Sequence, residues 1–181
     1  MIAATERNSY VILLRGVMPT GRNRVPMAQL RTALIEAGLV GVRTYIQSGN
    51  VVAAASCDAA TLEQLVHDTI REKIGAEIAV IVRTPEEFRR ILAYNPFADA
   101  DNSKLYFTLF QTPPDPARLR ELLAIDCGPD AIRVTDYALY TLYATRHSDS
   151  RFTNNFFESR LKVKATTRNF NTISKLVDWC D

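Results

Sequence analysis

Val42-Arg43-Thr44-Tyr45-Ile46 alternates in the manner of a strand, Gln47-Ser48-Gly49-Asn50 reads as a tight turn, and Val51-Val52-Ala53-Ala54-Ala55 runs back as a second strand. What flanks this hairpin decides the fold. Upstream, Ser9-Tyr10-Val11-Ile12-Leu13-Leu14 is a continuous apolar run closed by Arg15-Gly16, the pattern of a strand central in its sheet or covered on both faces. Pro26 suits the first position of a helix, Met27, Leu30, Leu34 and Ala37 recur at helical spacing, and Gly38 is a natural stop. Downstream, Asp58 can cap a helix whose apolar face is Leu62, Leu65, Val66 and Ile70, and residues 78–82 form another strand. The order is βαββαβ, that of the ferredoxin-like unit.

A second run follows. Thr84-Pro85-Glu86-Glu87 is a capping box with a proline inside it, and the helix it opens buries Phe88, Ile91 and Leu92 and stops before Asn95-Pro96. Residues 95–103 read as a linker. A strand at 105–110 and a helix opened by Asp115-Pro116 come next, with Leu119, Leu122 and Leu123 on its apolar side. Residues 132–134 and 138–143 make a hairpin about Asp136. A helix near 150–161 buries Phe152, Phe156 and Phe157, and an extended piece at 163–166 leads into a last helix. The expectation is an α+β protein of two ferredoxin-like subdomains in tandem, each an antiparallel sheet with helices on one face. The first spans residues 1–84, a connecting helix and linker 85–103, and the second 104–181. The halves share an order of elements and no sequence repeat.

Bulk properties narrow the classes. The 181 residues are 47% hydrophobic and 23% charged, values of an ordinary globular protein, and the net charge of +2 is too mild to argue for nucleic acid unless it is clustered. Cys57, Cys127 and Cys180 are odd in number and far apart, with no C-x-x-C and neither histidine beside them, so zinc and disulfide frameworks lack support. Three reduced thiols fit the cytosol. No apolar run of signal length opens the chain and no stretch approaches 18 apolar residues, so a cytoplasmic protein without a membrane partner is expected.

In the strand order 4-1-3-2 the first two strands run the same way, so the loop at 15–25 and the turn at 47–50 leave one end of one sheet. This is the strongest inference toward a site. It gathers Arg15, Arg22, Asn23, Tyr45, Gln47, Ser48 and Asn50; the alternative for Gly49 and Asn50 is plain turn chemistry. Gly16-Val17-Met18-Pro19-Thr20-Gly21-Arg22-Asn23 has the glycine spacing of a P-loop, yet Arg22 and Asn23 stand where lysine and a hydroxyl must reach phosphate and magnesium. Backbone amides with Arg15, Arg22 and Arg24 around an anion remain the looser reading.

A second polar cluster, Thr166-Thr167-Arg168-Asn169-Phe170-Asn171-Thr172, closes with Lys175. Phe170, Ile173, Leu176 and Val177 form one face of the last helix, and Arg168, Asn171 or Thr172, and Lys175 another. With Thr166 or Thr167 as N-cap, the helix terminus, Thr167, Arg168, Asn169, Asn171 and Lys175 make an anion site; the alternative is a solvated amphipathic helix. Catalytic signals are sparse. No G-x-S-x-G occurs and no carboxylate pair stands out for acid/base work, His67 reads as structural, and His147 beside Arg146 and Asp149 is the candidate base. Asp99 and Asp101 read as solvated. Nothing calls for a metal or a cofactor.

Leu13-Leu14-Arg15-Gly16, Asn23 with Val25-Pro26-Met27, Tyr45-Ile46-Gln47-Ser48-Gly49-Asn50, Asn95-Pro96-Phe97, and Thr166-Thr167-Arg168-Asn169 with Asn171-Thr172 and Lys175-Leu176 resemble the bacterial domain-of-unknown-function family 1697. The resemblance spans roughly residues 10–179. It implies tandem ferredoxin-like subdomains and no activity. The chain departs from the family at Met18-Pro19-Thr20, where Asn-Val-Gly is frequent, and at Phe170, where Trp is frequent.

Three readings stand. The first is a non-catalytic binding module for a phosphate-bearing ligand, a nucleotide or RNA. Against base stacking, strand 50–55 has no aromatic residue, which leaves backbone-phosphate contact. The second is an enzyme on a small anionic metabolite, with Tyr45 or His147 as proton carrier. The third is a protein-interaction or homo-oligomeric module using an exposed sheet edge or face.

Overall fold

A computed structural model describes residues 6–180. It is a mixed α/β structure of two four-stranded antiparallel sheets and six α-helices among those residues. The chain divides into two compact units, residues 6–86 with 178–180, and Glu87–Val177. The boundary falls between Glu86 and Glu87, so the segment read as a connector counts with the second unit from Glu87 onward. Among the described residues no helix is long and apolar enough to cross a membrane.

The first unit runs β1 (Asn8–Leu14), α1 (Met27–Glu36), β2 (Val40–Tyr45), β3 (Asn50–Ala55), α2 (Ala59–Ile74) and β4 (Val80–Arg83), with sheet order β2-β3-β1-β4. The apolar run of β1 is explained by its central place, between β3 and β4 and antiparallel to both: Val11, Ile12, Leu13 and Leu14 are all 0% exposed. Tyr10, Ile12 and Leu14 meet Val51, Ala53, Val80 and Val82 in one core with Leu30 and Leu34 of α1 and Leu62, Val66 and Ile70 of α2. The Asp58 carboxylate caps α2 by accepting from Thr61 N at 2.8 Å, and Gly75 ends it in the left-handed region. Pro26 is the N-cap of α1 and not its first residue. β2 is an edge strand, as is β4; it is exposed or half-buried along its length, with a register shift between Val40 and Arg43. Because β1 and β2 are both antiparallel to β3, they are parallel to each other.

The second unit continues through α3 (Pro85–Ala93), β5 (Leu105–Phe110), α4 (Pro116–Leu123), β6 (Ala131–Val134), β7 (Leu139–Leu142), α5 (Asn154–Leu161), β8 (Ala165–Asn169) and α6 (Phe170–Asp178), with sheet order β6-β7-β5-β8. Asp115 caps α4 through Ala117 N and Arg118 N, and Thr153 caps α5, so Phe152 is buried just ahead of that helix. Phe110, Leu122, Leu139, Tyr143, Phe157 and Leu161 share one core. The expectation of helices on one face needs correction here. On the opposite face Phe107 lies 5.4 Å from Tyr140 and 6.2 Å from Phe170 at the start of α6, and the Tyr140 hydroxyl donates to Ile91 O of α3. Strand β5 presents large apolar residues to both sides, so both sides have to be covered.

The end of the chain also departs from expectation. β8 runs to Asn169, three residues beyond the predicted extended piece, because β5 pairs with all of it: Leu109 with Thr166, Thr108 with Thr167, Phe107 with Arg168 and Tyr106 with Asn169. These ladder bonds satisfy the backbone groups that a helix start at Thr166 or Thr167 would have left open.

Candidate anion site on the first unit

The parallel β1 and β2 deliver the 15–25 loop and the 46–49 turn to one end of the sheet. There they are fastened together. Leu14 N donates to Gly49 O at 2.8 Å, and the Gln47 side-chain amide donates to Val25 O at 2.8 Å. Gly49 has φ +81°, and a Cβ on it would stand 2.6 Å from Leu14 Cβ and 2.9 Å from a Val17 methyl, so only glycine fits. Asn50 is fully buried and donates to Tyr45 O and to Ser48 Oγ, both at 3.0 Å. The loop folds back on itself: Met18 N bonds Asn23 O, Arg24 N bonds Gly21 O, and the Asn23 amide reaches Gly16 O at 3.3 Å. It is not a phosphate loop running straight into a helix, since α1 begins only at Met27.

Asn23, Gln47 and Asn50 thus all use amide donors on protein oxygens. They are the frame of the corner. Tyr45 turns elsewhere, its ring 5.5 Å from Trp179, over which the Arg43 guanidinium also lies at 5.0 Å. Arg22 and Arg24 are exposed and Arg15 is half-buried. Between Glu6 and Glu36 the sequence holds Arg7, Arg15, Arg22, Arg24 and Arg31 and no Asp or Glu. Glu36 itself lies 3.7 Å from Lys73, and among the described residues no carboxylate pairs with Arg22 or Arg24.

The second cluster is arranged otherwise. Arg168 belongs to β8, not to a helix, and is 8% exposed; its guanidinium donates to Thr166 Oγ1 at 2.6 Å and Thr167 O at 3.0 Å. Burial pushes its pKa down to about 10. The hydroxyl of Thr108 bonds that of Thr167 at 2.8 Å, and Thr167 donates on to Asn154 Oδ1 at 2.6 Å. The cap of α6 is Asn169, whose Oδ1 accepts from Thr172 N at 2.9 Å; neither Thr166 nor Thr167 fills that role. Thr172 is buried, while Asn171 and Lys175 lie exposed one turn apart. The predicted set of Thr167, Arg168, Asn169, Asn171 and Lys175 is therefore divided between a strand interior, a cap and a helix surface.

Residues 7–140 match the model of a family described as protein of unknown function (DUF1697). The chain belongs to that family. The match contains the first-unit motifs and Asn95-Pro96-Phe97 and ends before β8. This DUF1697 chain is also similar in fold to a conserved bacterial protein from Streptococcus pneumoniae, with a TM-score of 0.77 at 20% identity over 97% of this chain and 99% of that one. No curated protein matches it significantly.

Most aromatic rings on the sheet strands are buried, while Tyr94, outside the strands, is exposed. Tyr10 is buried with its hydroxyl on Cys57 O, and Phe107, Phe110, Tyr140 and Tyr143 are buried as well. His67 is held between carboxylates, Nε2 at 2.7 Å from Glu77 and Nδ1 at 3.3 Å from Asp68. His147 stacks on Tyr106 at 4.8 Å and lines a pocket with Lys104 and Arg146. The sequence singled out His147 as a candidate base and did not point to Lys104, which lies some forty residues earlier and carries no local motif.

Proposed function

We propose that this DUF1697 protein is built of two ferredoxin-like units and that the first is a non-catalytic binding module for a phosphate-bearing ligand, a nucleotide or the backbone of RNA. The orders β2-β3-β1-β4 and β6-β7-β5-β8 support the fold assignment. One observation carries the function: Arg22 and Arg24 stand exposed, without a carboxylate partner, on a loop held by hydrogen bonds from side-chain amides, Asn23 within it and Gln47 from the neighbouring turn. Guanidinium groups meet phosphate oxygens in forked pairs, and a loop already fixed loses little entropy on binding. In the first unit Tyr10 is buried and β3 carries no aromatic residue, which argues against base stacking on that sheet and for contact with phosphate. Cys57, Cys127 and Cys180, none of them in a disulfide, support action in the cytoplasm.

The test is fluorescence anisotropy with labelled single-stranded RNA at low and moderate salt, with a nucleoside monophosphate as competitor. Binding should weaken with salt. Arg22→Ala with Arg24→Ala should flatten the log–log slope by about 1.4, near 0.7 for each phosphate that is no longer neutralised. Absence of binding to both probes at low salt overturns the proposal.

A further inference from the structure

The second unit holds an open pocket of about 680 Å³ between the 3₁₀ turn that precedes β5 and the loop that follows β7. This is the size of a small-molecule site. Lys104, Arg146 and His147 line it together with the hydroxyls of Ser103, Thr145 and Ser148. The single carboxylate among the lining groups, Asp149, accepts the Ser148 hydroxyl at 3.1 Å.

The walls are built, not incidental. Tyr143 N donates to Lys104 O at 3.0 Å, and the Lys104 ammonium donates to Ala144 O at 3.2 Å, so the two segments are pinned across the mouth. Asp130 accepts Ala144 N at 2.8 Å and the Ser150 hydroxyl at 2.7 Å, which fixes both ends of the 144–150 loop. The Tyr143 hydroxyl donates to Phe152 O at 2.6 Å. The imidazole of His147 is placed by rings alone: it stacks on Tyr106 with 12° between planes and meets Tyr143 edge-on at 5.2 Å. Among the described residues neither of its nitrogens has a hydrogen-bond partner.

A ring held without hydrogen bonds, beside two cations and three hydroxyls, leaves its nitrogens for a ligand. We propose that this pocket is a second anion site, independent of the arginine corner, which takes the phosphoryl group of a small phosphomonoester with Lys104 and Arg146 as counter-charges and His147 as hydrogen-bond partner. Lys104, Arg146 and Asp149, the phenols of Tyr106 and Tyr143, and Asp130 behind the loop are the titratable and charged groups around the ring. Burial holds the imidazole below its ordinary pKa, and an arriving dianion favours imidazolium, so phosphate should raise the pH at which the ring titrates.

The chain has two histidines, so ring NMR signals of the full-length protein report the site with His67 as internal reference. Inorganic phosphate is the probe and chloride the control. Phosphate should move the His147 signals and raise the pH at which they titrate, leaving His67 in place, and the same response should persist in the Arg22→Ala, Arg24→Ala protein. Arg146→Gln, at an exposed position that the frame does not use, should weaken phosphate about tenfold, and Lys104→Ala with Arg146→Gln should remove the response. A His147 titration that is the same with and without phosphate overturns the proposal, as does a response that survives the double variant. Loss of the response in Arg22→Ala, Arg24→Ala would assign the phosphate effect to the first unit and overturn it too.

Discussion

Gln47-Ser48-Gly49-Asn50 and Thr166-Thr167-Arg168-Asn169 look alike as sequence, each a short polar run of amides and hydroxyls, the first folded against a loop that carries arginines and the second with an arginine inside it. The structure puts them to opposite uses. At the turn, Gln47 and Asn50 donate to backbone carbonyls and Ser48 accepts from Asn50, and the arginines of the adjoining loop at positions 22 and 24 face solvent. In the strand, the arginine itself is inside, bonded to the hydroxyl and carbonyl of its own neighbours. A polar run therefore does not announce a surface. What separates the two is whether the arginine sits in a loop or is paired into a sheet, where alternate side chains must turn inward.

This contrast can be broken by substitution. Gly49→Ala should cost the most, roughly 3 kcal/mol or more, since it combines a positive φ with a clash against Leu14 and Val17; urea denaturation measures it. A tolerated alanine would mean that the corner is not packed as described. Arg168→Ala should cost about 2–4 kcal/mol by the same measurement, because it empties a buried position and strands the Thr166 hydroxyl. A neutral result would place Arg168 with the surface arginines.

Asn169→Ala should lose about 1 kcal/mol through the cap of α6, and Thr166→Ala should leave helix content unchanged in circular dichroism. His147 gives a pH signature. Its folded-state pKa lies below the ordinary 6.5, so as pH falls through 6.5 the unfolded chain takes the proton first and stability is lost. The penalty grows until the pH reaches the folded-state value. His147→Phe should remove that component from the acid limb of a stability–pH profile, and an unchanged limb would contradict the burial of the ring. Smallest of all, Arg22→Ala and Arg24→Ala should each stay within about 0.5 kcal/mol in stability while altering only the binding of anions.

Much of the architecture is legible because its causes are local. The apolar run at 11–14, the caps at Asp58 and Asp115 and the hairpin about Gln47–Asn50 are set by residues within a few positions of one another, and each element appears there, the hairpin turn one residue earlier at 46–49 with Asn50 opening β3. The placing of the 15–25 loop beside the 47–50 turn also follows from the sequence, since it needs only the strand order. Sequence and structure part where distant segments compete for the same residues. Helical spacing in 170–177 marks a real helix, but its start is decided by β5, which pairs with residues as far as Asn169.

By itself, then, the sequence determined the kinds and order of the elements and which loops share an end of the first sheet, because periodicity, capping and turn chemistry act over short range. Only the tertiary structure decided that Arg168 is buried, that Asn23, Gln47 and Asn50 bind their own backbone, and that Lys104 and Tyr106 join His147. Those outcomes depend on which strand pairs with which and on what water can reach. Both are settled by residues tens of positions away.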